Sequence, residues 1–170
     1  MKSLLLVIDM QKGWRNRTAT EAVMLRTVRL CKSFDGDIIH CCFKNDKDSL
    51  FYTQLNWEHF FDPHETDVIP EIEPLNLPIY WRSTYNCVND ETLPIIKQYD
   101  EVYIAGVFTD ISVSATAMSI FDHNIPVRVV LDCVATLHGQ AVHESALTSL
   151  DFAIGQRNLV KAATLMSPDK

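Results

Sequence analysis

The sequence predicts an α/β domain with a parallel, doubly wound sheet, and three observations support this fold. Short apolar runs alternate with longer helical stretches, as in chains whose parallel strands are connected by helices. The first run, Leu4–Ile8, is apolar at every position, which is typical of a strand buried on both faces. The length of 170 residues suits one compact domain with a hydrophobic core, and we predict a single domain over residues 1–170.

Each apolar run or helical period predicts one element. The predicted strands are Leu4–Ile8, Asp37–Phe43, Pro78–Trp81, Glu101–Val107, Pro126–Leu131 and one within Asn158–Leu165. The predicted helices are Thr18–Lys32, Asp90–Gln98, Asp110–Asp122 and Gln140–Ile154. Right-handed crossovers between parallel strands then place helices on both faces of the sheet.

Charge and cysteine usage narrow the class of protein. The net charge is −7 and there is no basic run, so nucleic acid and anionic membranes are not expected partners. The N-terminal apolar run stops at Asp9, too early for a signal core or a membrane span. Five cysteines without a CxxC pair favour reduced thiols and a cytoplasmic location. A nucleophilic Cys42 or Cys133 is the less favoured alternative, because buried cysteines are usually inert.

The segment 44–73 is long, polar and rich in aromatic residues, without a clear period. It is either a packed surface subcore, or a pocket lid or subunit contact. Asp62 and His64 have the spacing of metal ligands, but no third ligand stands at a fixed distance, so no metal site is predicted. The chain has only five glycines and no glycine-rich phosphate loop, and no cofactor is expected.

Ligands of doubly wound sheets bind beyond the carboxyl ends of the strands, which nominates the residues that follow each apolar run. Asp9 ends the first strand, Arg82 follows the third, and Asp132 ends the fifth. A carboxylate beside a buried strand needs a partner, so Asp9 is either functional or a loop cap. Arg82 is the nearest cation, or else a surface residue beside Trp81.

Ser112 lies in the first turn of the apolar helix that follows the fourth strand. Thr109 or Asp110 is a suitable N-cap, and free N–H donors of that turn can stabilise an oxyanion. The simpler alternative is that Ser112 is only a polar residue of a first turn. His143, on a later helix, is interpreted as structural.

Several segments together resemble one known family. Residues 6–14 (LVIDMQKGW) resemble the opening signature of the isochorismatase-like hydrolases, and residues 105–113 (AGVFTDISV) resemble their nucleophile turn. Residues 129–136 (VVLDCVAT) and His143 with Ala146 and Leu147 match the later strand and helix. The resemblance spans nearly the whole chain in the right order.

The resemblance implies a three-layer αβα fold with a six-stranded parallel sheet ordered 3-2-1-4-5-6, and a homo-oligomer. It also implies a small-molecule substrate and an Asp–Lys–Cys triad, whose positions fall on Asp9, Arg82 and Ser112. Substrate-binding residues are expected within the same signatures and after the third strand: Gln11, Trp14, Tyr85, Val107 and Phe108.

Two triad positions therefore carry substituted residues. A serine cannot ionise near neutral pH as a cysteine can, and an arginine keeps its charge where a lysine exchanges protons. Cysteine-type amide hydrolysis is not expected. The resemblance leaves vinyl-ether hydrolysis with Asp9 as acid, a serine variant with Asp9 as base, or an inactive pseudoenzyme that binds a ligand or a partner. The charge of Arg82 is expected to favour the ionised form of Asp9.

Overall fold

The computed structural model describes residues 1–166 and contains one sheet of six parallel strands in the order β3-β2-β1-β4-β5-β6. The strands are β1 Ser3–Ile8, β2 Asp37–Phe43, β3 Ile79–Arg82, β4 Glu101–Val107, β5 Val127–Ala135 and β6 Leu159–Val160. The strand order expected from the resemblance is confirmed. The last four residues of the predicted domain 1–170 lie outside the described residues.

The helices cover both faces of this sheet. They are α1 Glu21–Ser33, α2 Leu50–Thr53, α3 Pro63–Thr66, α4 Leu93–Ile96, α5 Ser114–Asp122 and α6 Gln140–Ile154. Successive residues of β1 alternate between the two faces, so that Leu5 and Val7 pack in the core under α1. Leu6 and Ile8 pack in the opposite core, under α5 and α6. The predicted three-layer arrangement is therefore confirmed.

Several predicted bounds were wrong, and local hydrogen bonds explain two of them. The helix predicted from Thr18 begins at Glu21, because the Asn16 side chain accepts the N–H groups of Thr18 and Ala19 and holds them in a turn. The helix predicted over 90–98 shrinks to Leu93–Ile96, because Asn89 caps the preceding turn in the same way.

The fifth strand was predicted to end at Leu131 but runs on to Ala135. Its register against β4 shifts between Ile104 and Gly106, so a bulge absorbs the polar Asp132 within the strand. The Asp132 carboxylate accepts the backbone N–H of Ala162 at 2.8 Å and fixes the C-terminal segment. The carboxyl edge of β5 is consequently formed by the residues after Ala135.

The close approach of β1 and β4 depends on one glycine. Gly106 has a φ of +121° and lies against Ile8 in the register of the two strands. An added Cβ would overlap the Ile8 carbonyl oxygen, so only glycine fits here. This contact lies directly beneath Asp9.

Within residues 1–166, no helix is both long and apolar enough to cross a membrane.

Candidate active site

A cavity of about 290 Å³ opens at the carboxyl edge of the sheet. Three of its lining side chains are Asp9, Arg82 and Ser112. The other ten are aliphatic, aromatic or histidine side chains: Trp14, Phe43, Phe51, Leu55, Trp57, Tyr85, Phe108, Ile111, Leu137 and His138. The topology thus brings Asp9, Arg82 and Ser112 to one cavity, as the strand-end rule predicts.

Asp9 and Arg82 form a buried ion pair in this cavity. Arg82 Nη2 donates to Asp9 Oδ2 at 2.6 Å, and each side chain is only 2% exposed. The other nitrogens of Arg82 donate to the Thr84 carbonyl oxygen and, at 3.1 Å, to Cys87 Sγ. Arg82 is therefore held at all three nitrogens, and Asp9 Oδ1 is left buried without a partner among the described residues.

The backbone at Asp9 is unusual for a residue with a side chain. Its φ of +56° lies in the left-handed region, at the point where β1 ends. The Asp9 N–H still pairs with the Cys41 carbonyl oxygen, and the next N–H, of Met10, donates to His40 Nε2. These bonds on the neighbouring strand hold the turn and direct the carboxylate into the cavity.

Burial dominates the electrostatics of this pair. It raises the pKa of Asp9 to about 7, although the Arg82 charge and hydrogen bond pull that pKa down. Arg82 thus favours the ionised form of Asp9, as expected, but burial outweighs this effect. Burial also raises the pKa of Cys87, but hydrogen bonding with Cys41 and the Arg82 charge outweigh it and lower the pKa to about 6. Two acidic groups therefore compete for one guanidinium.

Ser112 belongs to a π-helical turn, Thr109–Val113, which precedes α5. It is 4% exposed and lines the cavity. The N–H groups of Ile111 and Val113 both donate to the Phe108 carbonyl oxygen, so these two donors of the turn are already used. Only part of the predicted set of free first-turn donors therefore remains for a ligand.

The expected N-cap is also absent, because the side chains of Thr109 and Asp110 pair with two histidines instead. Thr109 Oγ1 lies 2.9 Å from His143 Nδ1 and ties the turn to α6, in line with a structural His143. Asp110 Oδ2 lies 2.6 Å from His138 Nδ1, and His138 lines the cavity. Sequence reasoning missed His138 because it ended the fifth strand too early; a strand running to Ala135 would have nominated it.

Aromatic side chains form the wall opposite the sheet. Trp14 stacks on Phe60 with ring centroids 3.9 Å apart and meets Phe108 edge-on at 4.8 Å. Trp57 and Phe51 from the segment 44–73 complete this wall and line the cavity. The segment therefore combines the packed aromatic cluster of the first interpretation with a contribution to the pocket.

The predicted binding residues fall into two groups. Trp14, Tyr85 and Phe108 line the cavity. Gln11 does not: its fully buried amide bonds both the N–H and the carbonyl of Phe43, which ties β1 to the end of β2. Val107 does not either, since its side chain packs in the core under α1.

Among residues 1–166, no group of three or more acidic, cysteine or histidine side chains is arranged to hold a metal ion.

Residues 3–159 match the model of the isochorismatase domain, so the chain belongs to the isochorismatase family. A search of curated protein sequences gives no significant match.

Solved structures with the same fold are numerous. An isochorismatase-like hydrolase of Alkaliphilus metalliredigens superposes with a TM-score of 0.82 at 18% identity, covering 96% of this chain and 97% of that one. The nicotinamidase PncA of Bacillus subtilis gives 0.80 at 20% identity, with 95% and 99% covered. An N-carbamoylsarcosine amidase of Thermoplasma acidophilum gives 0.72 at 21% identity, with 95% and 97% covered. At these sequence identities, the structural similarity establishes the fold alone.

Proposed function

We propose that this protein hydrolyses a small molecule by acid catalysis, with Asp9 as the proton donor. The observation that carries the proposal is a buried carboxyl with a pKa of about 7 that faces an aromatic cavity. Such a group holds a proton in a large fraction of molecules at neutral pH, as a general acid requires. Because Oδ2 is bound to Arg82, the proton resides on the unpartnered Oδ1.

A vinyl ether is the substrate class that this arrangement suits. Asp9 transfers its proton to the terminal carbon of the double bond, and an oxocarbenium ion results. Water adds to this cation, and its surplus proton returns to Asp9. The hemiketal then collapses to a ketone and an alcohol, so one water is consumed and the enzyme is regenerated. Arg82 positions the carboxyl, and the aromatic rings exclude bulk water.

Cys87 supports the acidic role of Asp9. Its sulfur lies 3.1 Å from Arg82 Nε, and its lowered pKa makes it a second counter-ion for the guanidinium. When Cys87 carries the negative charge, Asp9 can be neutral without leaving Arg82 unpaired. Ser112, which stands where the family has its nucleophile, plays no part in this reaction.

Substitution of Asp9 tests the proposal. Asp9→Asn removes the transferable proton while keeping the shape, and we expect hydrolysis to fall by at least about 100-fold. The matched control is Asp122→Asn, an exposed carboxylate at the end of α5. Both variants and the native protein are assayed against isochorismate, nicotinamide and simple carbamoyl compounds. Activity that survives in Asp9→Asn would remove Asp9 from the mechanism.

A ligand-binding pseudoenzyme is the second candidate, and the hydrogen bonding of Arg82 favours it. With all three nitrogens engaged, Arg82 cannot move to a substrate as the lysine of the family's triad can. Calorimetric binding of one of the same compounds to the native protein, without turnover by the native protein, would establish this candidate.

The homo-oligomer implied by the family stays a prediction. Helices α5 and α6 expose Met118, Phe121 and Phe152, of which Phe152 is 87% exposed. We expect light scattering at micromolar concentration to show a dimer or larger, and Phe152→Glu with Phe121→Glu to shift it toward the monomer. A native monomer would contradict the prediction.

A further inference from the structure

The Asp110–His138 pair at the rim of the cavity has the arrangement of a charge-stabilised base. His138 Nδ1 lies 2.6 Å from Asp110 Oδ2, and the ring stacks on Phe108 with centroids 5.5 Å apart and planes inclined by 16°. The imidazole is thus fixed both by a carboxylate along one edge and by an aromatic face. Its side chain is 48% exposed, while that of Asp110 is only 14% exposed.

The state of Asp110 determines the tautomer of His138. Burial raises the pKa of Asp110, but hydrogen bonds with Thr136 and His138 outweigh it, and the net pKa is lowered. An ionised Asp110 only accepts hydrogen bonds, so Nδ1 of His138 carries the proton. Nε2 then has a free lone pair, and no hydrogen-bond partner for it is found in the described part of the chain. This is the form of histidine that removes a proton.

Ser112 is a hydroxyl in need of such a base. It lines the same cavity of about 290 Å³ as His138, and only 4% of the residue is exposed. Asp110 and Ser112 also belong to one π-helical turn, so the turn that carries the serine orients the base as well. Asp9 is less suited to this task, because Arg82 holds it deep in the cavity.

We propose that Ser112, His138 and Asp110 form a serine acyl-transfer site, a second activity beyond acid hydrolysis by Asp9. Ser112 Oγ forms a bond to the acyl carbon of a small apolar ester while its proton passes to His138 Nε2. The bond from the acyl carbon to the leaving oxygen breaks, and that oxygen takes the proton from His138. Water then attacks the acyl-serine, gives its proton to Nε2, and that proton returns to Ser112 as the acid is released.

Covalent labelling tests this site without requiring a natural substrate. An alkyl fluorophosphonate loses fluoride as a serine oxygen bonds to phosphorus, and the serine proton goes to the base. We expect one adduct on Ser112, located by peptide mass spectrometry, and none there in Ser112→Ala. His138→Ala is expected to slow labelling by at least about 100-fold, and added imidazole to restore it by at least about 10-fold. Asp110→Asn should slow it by a smaller factor.

Controls separate a catalytic His138 from a structural one. His123→Ala removes an exposed histidine outside the cavity and should label within about two-fold of the native protein. His138→Gln keeps a side chain that can bond Asp110 but cannot take up a proton, so it should be as slow as His138→Ala. An unlabelled Ser112, an equal rate in the His138 variants, or a loss that imidazole does not restore would each overturn the proposal. Labelling needs no turnover, so these outcomes stand apart from those of Asp9→Asn.

Discussion

The two ends of the cavity each hold a carboxylate 2.6 Å from a nitrogen of a basic side chain, but they differ in burial. In the deep pair, the side chains of Asp9 and Arg82 are each 2% exposed. In the rim pair, the side chain of Asp110 is 14% exposed and that of His138 is 48% exposed. Equal distances therefore describe different interactions. Removing one partner of a buried pair strands a charge in a poor solvent, while an exposed partner is replaced by water.

The contrast also separates two chemical roles. A buried carboxyl with a raised pKa exchanges its proton only with what enters the cavity, which suits a donor to the substrate. A half-exposed imidazole can pass its proton to a leaving group and recover through solvent. The four predictions below test this comparison, from the largest expected effect to the smallest.

The largest effect is expected from breaking the deep pair. Arg82→Ala leaves Asp9 buried beside Cys87 without its cation, and we expect the free energy of unfolding to fall by about 3–5 kcal/mol. His138→Ala, which breaks the rim pair, should cost less than about 1 kcal/mol. Urea denaturation of both variants at neutral pH measures the difference. Similar losses in the two variants would mean that burial does not distinguish the pairs.

The deep end was the part that the sequence could predict. Asp9 follows β1 and Arg82 is the last residue of β3, and in a parallel sheet every strand ends at the same edge, so strand assignment alone places both residues at the carboxyl edge. The strand order itself came from the resemblance, because apolar runs do not reveal which strands are neighbours. The triad positions were transferred in the same way.

The rim end was not predicted, for a physical reason. A β-bulge hides Asp132 within β5, and a polar residue in an apolar run looks like the end of a strand. The fifth strand was therefore ended at Leu131, and His138 was not among the predicted site residues. Asp110, in turn, has the sequence pattern of an N-cap, and only the fold shows that its side chain turns to His138 instead. Gln11 shows the converse: its motif marks it as a binding residue, but its amide joins two strands.

The second prediction concerns how pH acts on the deep pair. The pKa of Asp9 is about 7 in the folded state against 3.8 for the ordinary carboxyl, so between about pH 4 and 7 only the folded protein holds this proton. Unfolding then releases a proton, and the contribution of Asp9 to stability falls as pH rises through this range. Asp9→Asn lacks this loss. Relative to that of the native protein, the free energy of unfolding of Asp9→Asn should therefore rise by about 3 kcal/mol between pH 4 and pH 7.

Native and variant proteins must be compared at each pH because another buried group acts in the opposite direction. Burial lowers the pKa of His40 to about 3, with a further contribution from the Arg82 charge, so acid destabilises the protein through this residue. His40 is present in both proteins, and its effect cancels in the difference between their urea unfolding curves. A difference that does not vary with pH would show that Asp9 is ionised throughout, as its charge pairing alone would require.

The third prediction concerns the thiols of the chain. All five cysteines are buried, so alkylation requires a local or global opening of the fold. We expect iodoacetamide to modify the native protein at least about 100-fold more slowly than the urea-unfolded protein, which corresponds to about 2.7 kcal/mol. Mass spectrometry of the native protein reports which thiol reacts. Rapid, selective modification of Cys42 or Cys133 would reveal a displaced nucleophile and contradict the role given to Ser112.

The smallest effect is expected from the rim pair, measured by a double-mutant cycle with Asp110→Ala and His138→Ala. The coupling energy should be about 0.2–1 kcal/mol at low salt. It should decrease in about 1 M salt, because the exposed imidazole is open to counter-ions over a Debye length of about 3 Å. The corresponding cycle for Asp9 and Arg82 should change little with salt, since ions cannot enter between two side chains that are each 2% exposed. A rim coupling as strong and as insensitive to salt as the deep one would mean that exposure of the imidazole does not weaken the rim pair, and the contrast drawn between the two ends of the cavity would fail.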